Sequence, residues 1–310
     1  MSTADDIIVS VCANCGKEGD DINNICNKCK VTTYCNAACK KKHRHKHKKD
    51  CEEHIRKATE HAAKLHDEKL FKQPPPLEDC PICFLLLPTL YTGTKYMVCC
   101  GKTICSGCSY APVYDNQGNE VDNEKCAFCR TPTSKSDEEN IQKYKQRVEA
   151  EDPIAIYNLG GFYRDGVFGF PQDYTKALEL LHRAGELGCA DAYCRIAYVY
   201  SKGVGVKVDK KKAIHYYELA AMGGNEVARH NLGGNEGIAG NYDRALKHWM
   251  ISIRGGDPQS LERIKLLYSK GRATKEDYTK ALQAYQAYLG EIKSPQRDKA
   301  AAADERYRYY

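Results

Sequence analysis

Seventeen cysteines in a chain of 310 residues, fifteen of them before residue 130, constrain this chain more than any other feature. Thiols at that density serve one of two ends: a disulfide framework in an oxidising compartment, or thiolate metal sites in a reducing one. The start Met1-Ser2-Thr3-Ala4-Asp5-Asp6 is acidic and lacks the basic start and apolar core of a signal peptide. The apolar stretch Phe84 to Leu87 is stopped by Pro88 and is far too short to cross a bilayer. The expectation is a soluble, intracellular protein, cytoplasmic and/or nuclear, that contacts no membrane and whose cysteines hold metal. A net charge of +6 is too mild for a chain-wide nucleic-acid surface.

The first cluster runs Cys12-x2-Cys15, Cys26-x2-Cys29, Cys35-x3-Cys39 and His47-x3-Cys51. Eight thiolate and imidazole donors suit two closed tetrahedral sites of the kind structural zinc takes. Pairs four residues apart share one helical face, which selects His47 over His43, His45 and His54 because only His47 stands four before Cys51. Thiolates locked on zinc are poor nucleophiles, so no redox or catalytic role is expected of them. The string, with Tyr34-Cys35 and the closing His-x3-Cys, resembles a MYND-type zinc finger over residues 12–51. The resemblance implies interleaved sites, Cys12, Cys15, Cys35 and Cys39 on one ion and Cys26, Cys29, His47 and Cys51 on the other. It also implies a module that docks proline-containing peptides. The basic run from Lys40 to Lys49 reads either as a nuclear-import or phosphate-binding patch or as the solvated face of the finger's last helix. Residues 52–79 read as a helical and proline linker. Within it, Pro74-Pro75-Pro76-Leu77 reads as a spacer or as a peptide for the chain's own finger.

The second cluster is Cys80-x2-Cys83, Cys99-Cys100, Cys105-x2-Cys108 and Cys126-x2-Cys129-Arg130. It again offers eight thiols, enough for two zinc ions and four per chain in all. The order of pairs, with Cys80-Pro-Ile-Cys83, resembles a RING finger over residues 80–130, in an all-cysteine variant. Lys102 stands where most such fingers have histidine, and an ammonium cannot ligate zinc. The resemblance implies cross-bracing, with Cys80, Cys83, Cys105 and Cys108 on one ion and Cys99, Cys100, Cys126 and Cys129 on the other. It implies recruitment of a ubiquitin-conjugating enzyme without a covalent intermediate. Ile82 would belong to the docking groove and Arg130 would clamp donor ubiquitin, a task suited to a planar guanidinium fork. Against those roles stand a core position for Ile82 and a solvated charge for Arg130.

After a linker over 131–151, the chain repeats. Ala177, Ala213, Ala245 and Ala281 are spaced 36, 32 and 36 residues apart, each in a matching Tyr- and Leu-rich context. Each unit reads as two amphipathic helices, with glycine loops such as Lys202-Gly203-Val204-Gly205 and glycine C-caps at Gly188, Gly224 and Gly256. No unit can bury its own apolar face, so the pairs must stack. Residues 152–290 resemble Sel-1-like repeats, relatives of tetratricopeptide repeats, which implies a scaffold whose concave face holds a protein partner. The third unit lacks the Gly-Val-Gly loop, and the fourth reads as a capping unit. Cys189 and Cys194 read as small apolar residues. Residues 291–310 are expected to be a charged tail, frayed from Ser294 on.

The predicted fold is mainly α: two small cross-braced zinc fingers followed by an α-solenoid of helix-pair repeats. The function expected is a RING-type ubiquitin ligase or ligase subunit, with the first finger and the repeats recruiting protein partners. The alternative is a non-catalytic zinc-finger scaffold. A zinc-dependent DNA binder is disfavoured by the modest charge and the lack of a recognition helix.

Overall fold

Asp or Asn stands at the start of helix after helix in the C-terminal half, and each does the same physical work. Asp152, Asp173, Asp209, Asn225 and Asp257 accept hydrogen bonds from backbone N–H groups two or three residues on, satisfying donors that a helix start leaves unpaired. In the computed structural model, residues 10–19, 22–89, 93–111, 113–114, 120–121 and 124–310 are described. The acidic start, Met1 to Asp6, lies outside them. The molecule divides into two units, Met1–Lys69 and Leu70–Tyr310.

In the first unit a two-residue hairpin, β1 (Asn24–Ile25) and β2 (Thr33–Tyr34), pairs antiparallel with Asn24 opposite Tyr34. Helix α1 (Ala37–His43) follows, capped by Asn36, and then α2 (His47–Leu70), which ends at the first residue of the second unit. The core of this unit is Cys12, Ile22, Cys26, Cys29, Tyr34 and Cys51. So few apolar side chains cannot sustain a fold this small without a metal or a staple.

The second unit opens with a hairpin, β3 (Thr94–Met97) on β4 (Lys102–Cys105), a short helix α3 (Ser106–Tyr110) and a backbone pair β5 (Val113–Tyr114) and β6 (Glu120–Val121). Its small core is Cys80, Leu87, Ile104, Cys105 and Cys108. Helices α4 (Asp137–Glu149), α5 (Pro153–Asp165), α6 (Tyr174–Glu186), α7 (Ala190–Lys202), α8 (Lys210–Met222), α9 (Glu226–Ile238), α10 (Tyr242–Arg254), α11 (Pro258–Ser269) and α12 (Lys275–Ile292) then pack each on the next in chain order. This is the predicted stack of helix pairs, and the chain is mainly α.

The repeated alanines Ala177, Ala213, Ala245 and Ala281 are all buried, as close helix crossing requires. Glycine deepens that approach: a Cβ on Gly233 would meet Trp249 Nε1 at 2.5 Å. Gly188, Gly224 and Gly256 take φ of 97°, 98° and 93°, the left-handed region that glycine enters without penalty. No described helix is long and apolar enough to cross a membrane.

Three stretches depart from expectation. Residues 131–151, expected as a linker, contain α4, which packs on α5 and is capped by Ser136. The segment after α2, expected as a spacer or as a ligand of the first finger, lies against the helix stack. Leu70 is buried among Ala197, Tyr217, Ala221 and Leu232, the Phe71 ring meets that of His248 at a tilt with centroids 4.6 Å apart, and Pro74 and Pro75 face Gly224. Leu77 packs with Tyr288, Ile292 and Tyr309.

The tail expected to fray forms α13 (Pro295–Ala303), capped by Ser294, and a 3₁₀ turn over Glu305–Tyr307. Arg297, Ala300 and Tyr309 have no solvent exposure. The physical reason is one distant partner joined to local ones: Arg297 donates to Leu86 O, 211 residues away, and to Ile292 O, both at 2.7 Å, and the Tyr309 hydroxyl donates to Asp298. Charge in a sequence reads as solvation until such partners are seen.

Candidate metal centres

Four Cys-x2-Cys turns share one backbone form. The residue after the second cysteine returns its N–H to the carbonyl of the first: Gly16 to Cys12 at 2.9 Å, Lys30 to Cys26 at 3.0 Å, Phe84 to Cys80 at 2.8 Å and Arg130 to Cys126 at 3.0 Å. That return needs a left-handed residue, and φ is 71° at Gly16, 57° at Lys30, 56° at Phe84 and 63° at Arg130. Three side-chain-bearing residues thus hold a conformation that costs about 1–2 kcal/mol apiece. A left-handed residue at the same place in all four turns, strained in three of them, is the mark of a knuckle shaped to aim two sulfurs at one point.

The knuckles converge in four groups: Cys12, Cys15, Cys35, Cys39; Cys26, Cys29, His47, Cys51; Cys80, Cys83, Cys105, Cys108; and Cys99, Cys100, Cys126, Cys129. Within each group the donor atoms all lie within 4.8 Å of one another. In a tetrahedron of Zn–S bonds near 2.3 Å, sulfurs stand about 3.8 Å apart. The sulfurs are at 3.7 Å for Cys15 and Cys35, 3.8 Å for Cys26 and Cys51, 3.8 Å for Cys83 and Cys105, and 4.0 Å for Cys100 and Cys126. The donor sets and their spacing therefore fit zinc.

His47 presents Nε2 to Cys29 Sγ at 3.4 Å, while its Nδ1 lies 3.4 Å from Thr32 Oγ1, the outer partner that fixes a ligand ring. His43 is elsewhere: its Nδ1 faces the Tyr34 hydroxyl at 3.3 Å and its ring stacks on that of His47. His45 and His54 are in none of the four groups. Both sequence clusters are thus brought together in the interleaved order.

Four sulfurs this close cannot share protons evenly. Hydrogen bonding from Cys105 lowers Cys80 to about 4, although burial opposes it. In the same group burial carries Cys108 up to about 12, and the Cys80 thiolate adds to that rise. In the first unit burial works against the Cys12 thiolate, yet backbone N–H groups of Cys35, Cys15 and Asn14 hold it at about 6, while Cys39 and then burial push Cys35 to about 12. A dication at each centre removes the conflict by letting every thiol ionise.

Outer partners of the second cluster come from the helices. Arg147 on α4 donates through Nε to Val98 O at 3.1 Å and through Nη2 to Cys99 O at 2.8 Å, fixing the turn that lets adjacent Cys99 and Cys100 face one point. Gly101 completes this turn at φ 69°, where an added Cβ would come within 2.7 Å of Asp152 Oδ2. The same Asp152 oxygen accepts from the Tyr96 hydroxyl at 2.7 Å. Ile82 is half-buried and packs on the core of the second cluster, whereas Arg130 is exposed and Phe84 is 77% exposed.

Sequence reading did not find Arg147, Asp152 or Arg297. Each acts across 48 or more residues through backbone carbonyls or a single hydroxyl, and no local pattern marks that. Cys189 and Cys194 are half-buried, and burial raises them to about 11 and about 12, so neither thiol is primed to react.

Comparison with known proteins agrees with these parts. Residues 12–51 match the MYND finger family, and residues 153–189, 190–225 and 266–286 match the Sel1 repeat. The matched repeats pass over the helix pair α9–α10, whose loop lacks the Gly-Val-Gly sequence.

Among curated proteins, chitin synthase regulatory factor 3 of Schizosaccharomyces pombe is 35% identical over 78 residues, 25% of this chain and 8% of that protein. The ERAD-associated E3 ubiquitin-protein ligase component HRD3B of Arabidopsis thaliana is 32% identical over 98 residues, 31% of this chain and 15% of that protein. The chain therefore spans less than a fifth of the length of either relative. A solved Sel1 repeat protein from Oxalobacter formigenes aligns over 56% of this chain and 74% of its own, at 25% identity and a TM-score of 0.44. The chain thus carries a zinc-binding MYND finger and a stack of Sel1 repeats, two kinds of module that mediate protein–protein interaction.

Proposed function

We propose that the chain is a zinc-organised adaptor, with sixteen ligands on four ions, whose second finger over residues 80–130 acts as a RING-type ubiquitin ligase or ligase subunit. The MYND finger would hold a proline-containing peptide and the repeats over 152–290 a protein substrate or partner. The observation that carries the reading is the interleaving of the second cluster, in which the first and third cysteine pairs converge on one point and the second and fourth on another.

The finger's work in such a reaction is positional. It binds a conjugating enzyme charged with ubiquitin and restrains the donor, so that a substrate amine attacks the thioester and the enzyme's cysteine leaves as thiolate. Exposed Arg130 suits the clamp on donor ubiquitin, and exposed Phe84 adds an apolar side chain beside Ile82 for the enzyme. The name of the Arabidopsis relative points in the same direction.

A second reading, a non-catalytic scaffold, is favoured by one observation: Ile82 packs into the finger's core and α13 lies on α3, leaving less of that face for an enzyme. Ubiquitin discharge from a panel of charged conjugating enzymes separates the two. Discharge by the full chain, reduced by both Arg130→Ala and Cys80→Ala, supports the ligase. A zinc-loaded chain that discharges none of them leaves the scaffold.

A further inference from the structure

Arg297 is a guanidinium with no exposure to solvent. Its fixed partners are carbonyls: Leu86 O and Ile292 O at 2.7 Å, and Leu85 O at 3.3 Å. Neutral oxygens do not offset a full buried charge, which needs an anion nearby. What lies nearby is sulfur: Nη2 is 3.8 Å from Cys83 Sγ. Four thiolates on a dication leave a net charge of about −2, so a filled centre supplies the anion that Arg297 lacks.

The rest of the segment is built to bring Arg297 there. Gly107 on α3 lets α13 approach closely, since a Cβ would stand 2.9 Å from Arg297 Cγ and 3.0 Å from its backbone nitrogen. Gln296 Oε1 lies 4.0 Å from Cys108 Sγ, and the rings of Tyr110 and Tyr307 meet at 5.4 Å. Tyr309, buried beyond the end of α13, is tied back to Asp298 of that helix.

We propose that Arg297 is the counter-ion of the metal–thiolate centre of Cys80, Cys83, Cys105 and Cys108, so that metal occupancy there and docking of residues 295–310 form one coupled equilibrium. The inference rests on zinc filling the second cluster. Coupling of this kind is reciprocal: what the docked segment adds to metal retention, the metal adds to docking. The C-terminal segment is then a positioning element of the finger, and releasing it uncovers α3.

The test uses the full chain and a chromogenic chelator that reports zinc release. Arg297→Gln should speed the loss of one zinc per chain by about 10- to 100-fold, the usual cost of losing an outer partner, and leave the other three unchanged. Arg297→Lys, which keeps the charge without the fork, should fall between. In the unaltered chain, chelation should open residues 295–310 to trypsin. Should Arg297→Gln not fold, Asp298→Asn loosens the segment without touching the charge beside the sulfurs, and it should speed the same zinc by a smaller factor. Unchanged zinc release in Arg297→Gln, or in Asp298→Asn where that variant stands in, would overturn the proposal, as would a segment equally protected with and without metal. A wild-type content of two zinc ions per chain would instead remove the zinc reading of the second cluster itself.

Discussion

Glu226, at the start of α9, lines a small cavity with Pro74, Pro75, Pro76 and Arg229. Burial first, then the charges of Asp191 and Asp257, raise its carboxyl to about 8. The unfolded carboxyl titrates near the ordinary value of about 4.3, so the folded state binds the extra proton and loses stability as pH climbs from there through 8. Glu226→Gln should therefore stabilise the chain by roughly 1–3 kcal/mol at pH 8.5 and change little at pH 4, which melting curves at the two values would show.

Glycines make a sharper contrast. Gly161 on α5 has open space where a Cβ would stand, with nothing beyond its own stretch of helix backbone within 4 Å, so Gly161→Ala should add about 0.5–1 kcal/mol. Gly233→Ala would press on Trp249, the chain's one tryptophan, whose Nε1 donates to His230 O at 3.1 Å, and should cost about 1–3 kcal/mol. Tryptophan fluorescence follows the second substitution directly. The contrast follows register: Gly233 is the first glycine of its Leu-Gly-Gly run and Gly161 the second of its own, one residue further round the helix.

At the scale of elements, the informative pieces are those that sequence patterns assign to linkers. Glycine stops and buried alanines were legible, because each is a local rule repeated at a fixed period. The seat of residues 70–77 was not, because an apolar pair followed by prolines is compatible with a solvated spacer. Leu70 is 1% exposed and packed among α7, α8 and α9. Leu70→Ala should lower the stability of the repeat stack by about 2–4 kcal/mol, the usual cost of emptying a packed site. Denaturant unfolding followed by helical circular dichroism measures it. A true spacer residue would give a change within about 0.5 kcal/mol.

For the whole molecule, metal and helix packing divide the labour unequally. The first unit has a core of six residues, five of them cysteine or tyrosine, so its folding energy is chiefly metal binding. The repeats have an apolar core of their own. Zinc content should be near four per chain by elemental analysis. Chelation should abolish the protection of residues 12–51 against hydrogen exchange while most of the helical signal survives. Collapse of the whole helical signal on chelation would mean that the repeats lean on the fingers far more than their cores suggest.

The sequence by itself determined the donor pairs, the helix-pair period and the mainly α class, because zinc ligation and helix stacking both write short, regular spacings. Only the tertiary structure decided which cations serve the second cluster, where the proline segment rests and that the C-terminus is ordered. Arg147 and Arg297 find partners 48 to 214 residues away, and the energy of pairing a buried charge depends on that distant company rather than on neighbours in the chain.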